Sequence, residues 1–244
     1  MSRVAIYAHH DKVTRSVNEQ LRELLSAGYE VIVTTTNPDF SQQCMWSQVE
    51  AVVRPNEGWD VGAWARVLTQ RSEIRESDFL LLMNDSCLGP IKSMQKVFDH
   101  IDDQKADYWG LTDNIAQSQY HYQSYMRGFS RAALQDDVVW EFLTEVESVD
   151  KFATVQRYEM GFPIQYVVDQ GLKTSVMFEY TKVLSQRFID ALDDPNQYIY
   201  GWERLLALGY PFVKKSLFTQ FNIMSNNDVE FIKTVYGVDI KEYM

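Results

Sequence analysis

The sequence has few cysteines, and this scarcity argues against two kinds of protein. Cys44 and Cys87 are the only two in 244 residues. Two isolated cysteines do not form a disulfide framework, and the sequence contains neither a CxxC nor an HExxH motif. We therefore expect two reduced, mostly buried thiols in a cytoplasmic protein.

Basic residues and long apolar runs are also scarce. The chain has 23 Lys and Arg against 34 Asp and Glu, and its net charge of −11 would repel nucleic acid. No run approaches 18 apolar residues, so no segment is predicted to span a membrane. In the N-terminal MSRVAIYAHHDK, His and Asp occupy the place of a small-residue cleavage site, which predicts that no signal peptide is present.

Apolar and aromatic residues are abundant. They include 6 Trp, 14 Tyr and 13 Phe within a hydrophobic fraction of 45%, enough for a well-formed core. The sequence shows no Gly/Ser linker, repeat or low-complexity tract. It therefore predicts one domain over residues 1–244, with a short C-terminal helical extension at about 226–244.

Strand-type and helix-type patterns alternate along the first half, which predicts an α/β fold with a mainly parallel central sheet. The helix patterns are apolar stripes that recur every three or four residues. The predicted strands are Val4–Ala8, Glu30–Thr35, Ala51–Arg54, Phe79–Met83, Asp107–Leu111, Ser124–Phe129 and Thr174–Phe178.

Polar or glycine-rich segments follow three of these strands. An open parallel sheet binds its ligand at the carboxyl ends of its strands, so these segments are expected to converge on a site. They begin at His9, Arg54 and Asn84.

The segment RPNEGWDVGAW, residues 54–64, fits neither a dinucleotide fingerprint nor a P-loop. Gly58 and Gly62 would let the backbone approach a ligand closely, and Asp60 could cap the next helix. The N-terminus of that helix would suit a diphosphate. A plain turn with a capping Asp explains the segment equally well.

Asn84, Asp85 and Ser86 end the apolar run LLLM. Oxygen ligands of this kind suit Mg²⁺ or Mn²⁺ when substrate phosphates complete the coordination. An Asx turn that closes the strand is the alternative.

Further candidates lie in the second half. Glu159, just before a helix pattern, is a candidate general base or a stabiliser of the helix N-terminus. His121, Gln123 and Ser124 could bind a sugar or phosphate, or be structural. A peripheral membrane contact is a further candidate, with a solvated edge as its alternative; its residues are Phe212, Lys214, Lys215, Leu217 and Phe218.

In their order, these segments resemble the rhamnan synthesis F family of bacterial polysaccharide enzymes, which look like glycosyltransferases of the GT-A type. The resemblance covers about Val4 to Phe218, and NxGxDxGAW and NDSxxGP are its most specific parts. The matching segments are VAIYAHHD, RPNEGWDVGAW, LLLMNDSCLGP, DYWGLTDN, HYQSYMRGFSRAAL, YEMGFPIQYVVDQGLK and GYPFVKKSLF.

The resemblance implies a three-layer α/β/α domain that transfers a sugar with inversion. The implied donor is a nucleotide-diphosphate sugar such as deoxythymidine-diphosphate rhamnose. The acceptor would be a glycan or lipid-linked glycan at the inner face of the plasma membrane. GT-A enzymes usually hold a divalent metal with a DxD motif, and here Asp85 alone would hold Mg²⁺ or Mn²⁺.

The resemblance also implies a role for each candidate residue, with Glu159 as the catalytic base. Residues of the acceptor or sugar site would be Trp109, Asp113, His121, Gln123 and Ser124. The donor site would be formed by His9, Asp11, Arg54, Asn56, Gly58, Asp60, Gly62, Asn84, Asp85 and Ser86.

Two other functions stay open on the residues alone, because a fold does not establish a function. The chain could be a non-catalytic glycan- or nucleotide-binding module that serves a larger transferase. It could also be a phosphoryl-handling or flavin enzyme, although the absence of a P-loop and a dinucleotide fingerprint argues against this.

Overall fold

The computed structural model describes residues 2–147 and 150–244. Met1, the first residue of the N-terminal segment MSRVAIYAHHDK, lies outside the described residues. The strands are β1 Arg3–His9, β2 Glu30–Thr35, β3 Glu50–Val53, β4 Phe79–Asn84, β5 Cys87–Leu88, β6 Tyr108–Ala116, β7 Gln119–Tyr122, β8 Met126–Ser130, β9 Thr174–Phe178 and β10 Val213–Lys214.

The helices lie between and after these strands. They are α1 Arg15–Ser26, α2 Phe40–Gln43, α3 Trp59–Gln70, α4 Gln95–Gln104, α5 Arg131–Gln135, α6 Asp137–Thr144, α7 Lys151–Val155, α8 Ile164–Asp169, α9 Tyr180–Val183, α10 Gln186–Ala191, α11 Gln197–Tyr200, α12 Trp202–Leu208 and α13 Asn226–Tyr236. A π turn over Gln156–Met160 continues α7, and short 3₁₀ turns cover Ser72–Glu76, Lys215–Leu217 and Ile240–Tyr243.

Eight strands form one sheet in the order β3-β2-β1-β4-β8-β6-β7, and β9 pairs with β6. The strands β1 to β4 are mutually parallel, with Ile6 opposite Ile32 on one side and Leu82 on the other. β8 runs antiparallel to both of its neighbours, whereas β9 is parallel to β6. The predicted α/β fold with a mainly parallel sheet is confirmed.

Helices cover both faces of the sheet, because successive strand residues point to opposite sides. Tyr7 packs in the apolar cluster that contains α1 and α4, whereas Ile6 packs in the cluster that contains α3, α6 and α8. All six residues of β4 are buried, as expected of a strand with both faces covered. The central parallel strands β1 and β4 are therefore covered on both faces, and polar residues follow at their carboxyl ends.

A two-stranded ribbon lies outside this sheet. β10 pairs antiparallel with β5, so that Val213 is opposite Leu88 and Lys214 is opposite Cys87. This pairing places residues near 215 directly beside the end of β4, although they are far away in sequence.

The main departure from the predicted strands is a hairpin. β6 was expected to end at Leu111, but it continues to Ala116 and pairs with β7. Gln117 and Ser118 make the turn with positive φ angles of 50° and 63°. Such turns are usually signalled by Asn-Gly or Asp-Gly, and neither dipeptide occurs at this turn.

The C-terminal helix pattern corresponds to α13, which begins with a capping box formed by Ser225 and Asp228. None of the described helices combines the length and the apolar character that a membrane crossing requires.

Candidate active site

A cleft of about 420 Å³ opens where β1 and β4 end. The loop after β1, the first turn of α3, the residue after β4 and the segment around α7 all contribute to its wall. This is the sheet edge at which the sequence places the site. The lining residues are His10, Asp11, Trp59, Asp60, Val61, Asp85, Ser124, Lys151, Thr154, Val155, Glu159 and Lys215.

His10 lies between two carboxylates on one side of the cleft. Its Nδ1 is 3.8 Å from Asp60 Oδ1 and 3.8 Å from Asp85 Oδ1, and its backbone N–H donates to Asp85 Oδ2 at 3.2 Å. Arg54 Nη2 lies 3.3 Å from Nε2 of the same ring. Because Arg54 can only donate, Nε2 accepts, and Nδ1 carries the proton that faces the carboxylates.

The two carboxylates differ in their pKa. Burial raises the pKa of Asp60 to about 6. Burial also tends to raise the pKa of Asp85, but the hydrogen bond with His10 and the charge of Lys215 outweigh it, so that its pKa lies below its usual range. The hydrogen bond with Asp85 in turn raises the pKa of His10. Asp85 is therefore the more acidic member of the pair, and it stays ionised when the pH falls to the range in which Asp60 takes up a proton.

Two lysines lie beside the end of β4. Lys215 Nζ is 3.5 Å from Asp85 Oδ2, and Lys214 Nζ donates to Ser86 Oγ at 2.9 Å. Both ammonium groups point towards the cleft end of β4, and the membrane contact stays a prediction. The apolar neighbours Phe212 and Leu217 are buried in the core rather than exposed to a bilayer.

Glu159 lines the same cleft from the π turn that continues α7. Ser124 Oγ donates to Glu159 Oε2 at 2.6 Å, and His121 Nε2 is 4.0 Å from Oε1. The side chain is 16% exposed. Glu159 lies five residues before α8 begins at Ile164, in a helical segment that ends at Met160, so it does not stabilise the N-terminus of that helix.

Gly58 and Gly62 allow the chain to pack closely against itself. Gly58 has a φ of 68° and caps α3, and a Cβ on it would lie 2.9 Å from the Cα of Gly62. A Cβ on Gly62 would lie 2.7 Å from the carbonyl oxygen of Glu57. Both glycines therefore have a structural requirement that involves no ligand. The prediction that Asp60 caps α3 is wrong, because the helix begins one residue earlier; Asp60 instead accepts from Asn84 Nδ2 at 2.9 Å.

We expect Gly62→Ala to destabilise the fold by roughly 1–2 kcal/mol, as overpacking typically does. Intrinsic helix propensity alone favours Ala over Gly by about 1 kcal/mol. A loss of stability would therefore be due to the close contact with the Glu57 carbonyl oxygen. Urea denaturation measures the difference. Arg66→Ala, at an exposed position of the same helix, is the control and should change stability by less than about 0.5 kcal/mol. A more stable Gly62→Ala variant would show that the loop around Glu57 shifts to accommodate the methyl group at little cost.

His9, predicted to bind the donor, is instead a structural residue. It is completely buried, its Nδ1 lies 2.8 Å from Thr35 Oγ1, and its Nε2 donates to the carbonyl oxygen of Lys12 at 3.0 Å. Burial lowers its pKa, which agrees with a neutral ring held by these two bonds. The neighbouring His10 reaches the cleft in its place.

Trp109, Asp113, Gln123 and Asn56 are among the predicted residues that do not line the cleft. Trp109 is completely buried and donates through Nε1 to His100 Nδ1 at 3.0 Å. Asp113 is buried beneath Tyr180, whose backbone N–H donates to it at 2.6 Å. The remaining two are Gln123, which is buried and donates to Asn196, and Asn56, which is exposed.

The other predicted residues form the cleft or its support. Arg54 is buried and donates to Thr34 Oγ1 and the Pro55 carbonyl, so it reaches the cleft only through His10. The lining residues that the sequence did not assign to the site are His10, Trp59, Val61, Lys151, Thr154 and Val155. Lys215, which it indicates only as a candidate membrane contact, also faces the cleft.

The expected Mg²⁺ or Mn²⁺ site stays a prediction, and the oxygen atoms around Asp85 fit it poorly. Asp85 Oδ2 already faces a backbone N–H and an ammonium group, and Asn84 Oδ1 accepts from Ser86. Residues 2–147 and 150–244 contain no group of three or more His, Cys, Asp or Glu side chains arranged to hold a metal ion. We therefore assign no step to a metal.

The chain is similar to a bacterial virulence protein over about two thirds of its length. The virulence protein VirA of Vibrio anguillarum is 28% identical over 192 residues, which cover 68% of this chain and 61% of that protein. The chain thus spans less than two thirds of this relative's length.

Two solved structures are distantly similar, each at 13% identity. One is a glycosyltransferase involved in the glycosylation of the major capsid of PBCV-1, with a TM-score of 0.42, covering 74% of this chain and 84% of that one. The other is S. aureus TarS 1-349, with a TM-score of 0.34, covering 57% of this chain and 49% of that one.

The structure defines an α/β protein with a charged cleft at the carboxyl ends of its parallel strands. The model of the family described as rhamnan synthesis protein F matches residues 31–240. The chain belongs to this family, and the resemblance found in its sequence is confirmed.

Proposed function

We propose that this chain is a glycosyltransferase that moves a sugar, with inversion, from a nucleotide-diphosphate donor to a glycan acceptor. Membership of the rhamnan synthesis family supports the class of enzyme. The observation that carries the mechanism is a cleft in which one oriented carboxylate, Glu159, faces the same space as the charged cluster of His10, Asp85 and Lys215.

Glu159 is the general base of this proposal. Its carboxylate removes the proton from an acceptor hydroxyl while that oxygen attacks the anomeric carbon of the donor sugar. The bond between the sugar and the diphosphate breaks at the same time, and the diphosphate departs with the electron pair. Ser124 holds Oε2 by its hydrogen bond, which leaves Oε1 for the acceptor.

The donor's diphosphate belongs near the end of β4, where Lys215 can stabilise the charge that develops on it. For the sugar we propose rhamnose or a similar deoxysugar, carried by deoxythymidine diphosphate. For the acceptor we propose a growing polysaccharide or lipid-linked glycan at the inner face of the plasma membrane. These specific choices are supported by the family alone.

A panel of nucleotide sugars tests the proposal. We expect one of them to bind in calorimetry with a micromolar Kd, about −8 kcal/mol, and to release its nucleoside diphosphate slowly in the presence of the chain. Binding without any release, with or without glycan acceptors, would identify a non-catalytic binding module. The absence of both binding and release would overturn the proposed activity.

We expect Ser124→Ala to lower kcat about tenfold, because it removes a hydrogen bond to a charged carboxylate that orients the base. Nucleotide affinity should not change. Steady-state kinetics measure the effect, and Ser185→Ala, at an exposed serine, serves as the control. An unchanged kcat would show that Glu159 needs no orientation by Ser124.

A further inference from the structure

The backbone places two lysines over the end of β4. The ribbon of β5 and β10 aligns Lys214 with Cys87, and the backbone N–H of Lys215 donates to the carbonyl oxygen of Ser86 at 3.0 Å. Main-chain hydrogen bonds therefore fix both lysines beside residues 85 and 86, and the placement does not depend on flexible side chains meeting by chance.

Each ammonium group has a defined place. Lys215 Nζ lies 3.5 Å from Asp85 Oδ2, and Lys214 Nζ bonds to Ser86 Oγ and lies 5.4 Å from the centre of the Tyr198 ring. The Lys215 side chain is 36% exposed and lines both the main cleft and an adjoining cleft of about 330 Å³. Lys215 therefore has room to turn from Asp85 to an entering anion, whereas Lys214 is held by its hydrogen bond to Ser86 Oγ.

The same position is unfavourable for a divalent cation. Mg²⁺ must approach a carboxylate oxygen to about 2.1 Å. Asp85 Oδ2 is already 3.5 Å from Lys215 Nζ, so an Mg²⁺ ion bound to this oxygen would lie close to the ammonium group. Like charges repel at such distances, and the repulsion is strong in a partly buried site. Asp85 is thus placed to position Lys215.

We propose that Lys215, supported by Lys214, supplies the positive charge that holds the donor's diphosphate, and that nucleotide binding at this cleft requires no divalent metal. The inference rests on the proposed glycosyltransferase function. It assigns Lys215 to the diphosphate and makes Asp85 a positioning residue.

Calorimetry on the whole chain with UDP, GDP and deoxythymidine diphosphate tests the inference, in EDTA and in Mg²⁺ or Mn²⁺. We expect the nucleoside diphosphate that binds to have the same Kd in both conditions, within about twofold. Lys215→Met should weaken its binding about tenfold or more, whereas Lys215→Arg, which keeps the charge, should stay within about threefold of wild type. Lys182→Met, which removes an exposed lysine paired with Glu179, should have no effect.

A second comparison separates charge from general damage to the site. Lys215→Met should not change the binding of the corresponding nucleoside, which has no phosphate. Binding that is lost in EDTA and restored by metal would overturn the inference and leave the proposed function intact, as would an unchanged affinity in Lys215→Met. Failure of every nucleoside diphosphate to bind wild type in either condition would overturn the proposed function and the inference with it.

Discussion

Replacing Glu159 with glutamine lowers kcat by about 10²–10⁴-fold, while the affinity for the donor nucleotide stays within about twofold. Glutamine has the shape of glutamate and can still accept the hydrogen bond that Ser124 donates at 2.6 Å. It cannot take a proton from an acceptor hydroxyl. The substitution therefore removes general-base catalysis and leaves the cleft intact.

Two measurements check this result: steady-state turnover of the donor, and calorimetry with its nucleotide. Glu141→Gln, which changes an exposed glutamate in α6, is the matched control and should leave both unchanged. Wild-type turnover in Glu159→Gln would remove Glu159 from the mechanism. A parallel loss of turnover and nucleotide affinity would instead show that Glu159 shapes the donor site.

The regular elements of the fold are predictable because their patterns are local. β2 and β9 have the bounds that their apolar runs indicate, and α1 is followed by Gly28, whose φ of 80° suits a helix end. The β6–β7 hairpin is not predictable in this way. Its turn has positive φ angles at Gln117 and Ser118, two residue types that rarely adopt them.

A sequence pattern does not show which of two adjacent residues faces the site, and this is the first limit on predicting the site from the sequence. His9 and His10 both follow the first apolar run, but the extent of β1 decides which of them faces the cleft. His9 is still part of the strand and contacts Phe40, with ring centres 5.0 Å apart. His10 lies beyond the strand and meets Asp60 and Asp85.

The second limit is long-range pairing. Lys215 reaches Asp85 only because β10 pairs with β5, and two-residue strands leave no periodic pattern in a sequence. For the segment of Lys214 and Lys215 the sequence therefore predicts either a membrane contact or a solvated edge, whereas the neighbouring Leu217 is fully buried.

Asp113 shows how a misplaced strand end alters a functional assignment. The apolar run predicts a strand that ends at Leu111, before Asp113, but Asp113 lies within β6 opposite Tyr122. Its carboxylate accepts from the backbone N–H of Tyr180 at 2.6 Å and from the Tyr120 hydroxyl at 2.9 Å. Burial nevertheless dominates and raises the pKa of Asp113 to about 6.

This raised pKa makes Asp113 a source of pH-dependent stability. The unfolded chain releases the proton near pH 4, whereas the folded chain keeps it until about pH 6. The folded state thus binds more protons between these values, and the contribution of Asp113 to stability falls as the pH rises through that window. Above it, the ionised carboxylate destabilises the fold by at most roughly 3 kcal/mol.

We therefore expect Asp113→Asn to raise the free energy of unfolding at pH 7 by roughly 1–3 kcal/mol, with the gain shrinking towards pH 4. The amide oxygen can still accept from Tyr180, and the amide nitrogen can donate to the Tyr120 hydroxyl. Urea denaturation from pH 4 to pH 8 measures the difference, with exposed Asp103→Asn as the control. A variant less stable than wild type at pH 7 would mean that the hydrogen bonds to the ionised carboxylate outweigh its burial.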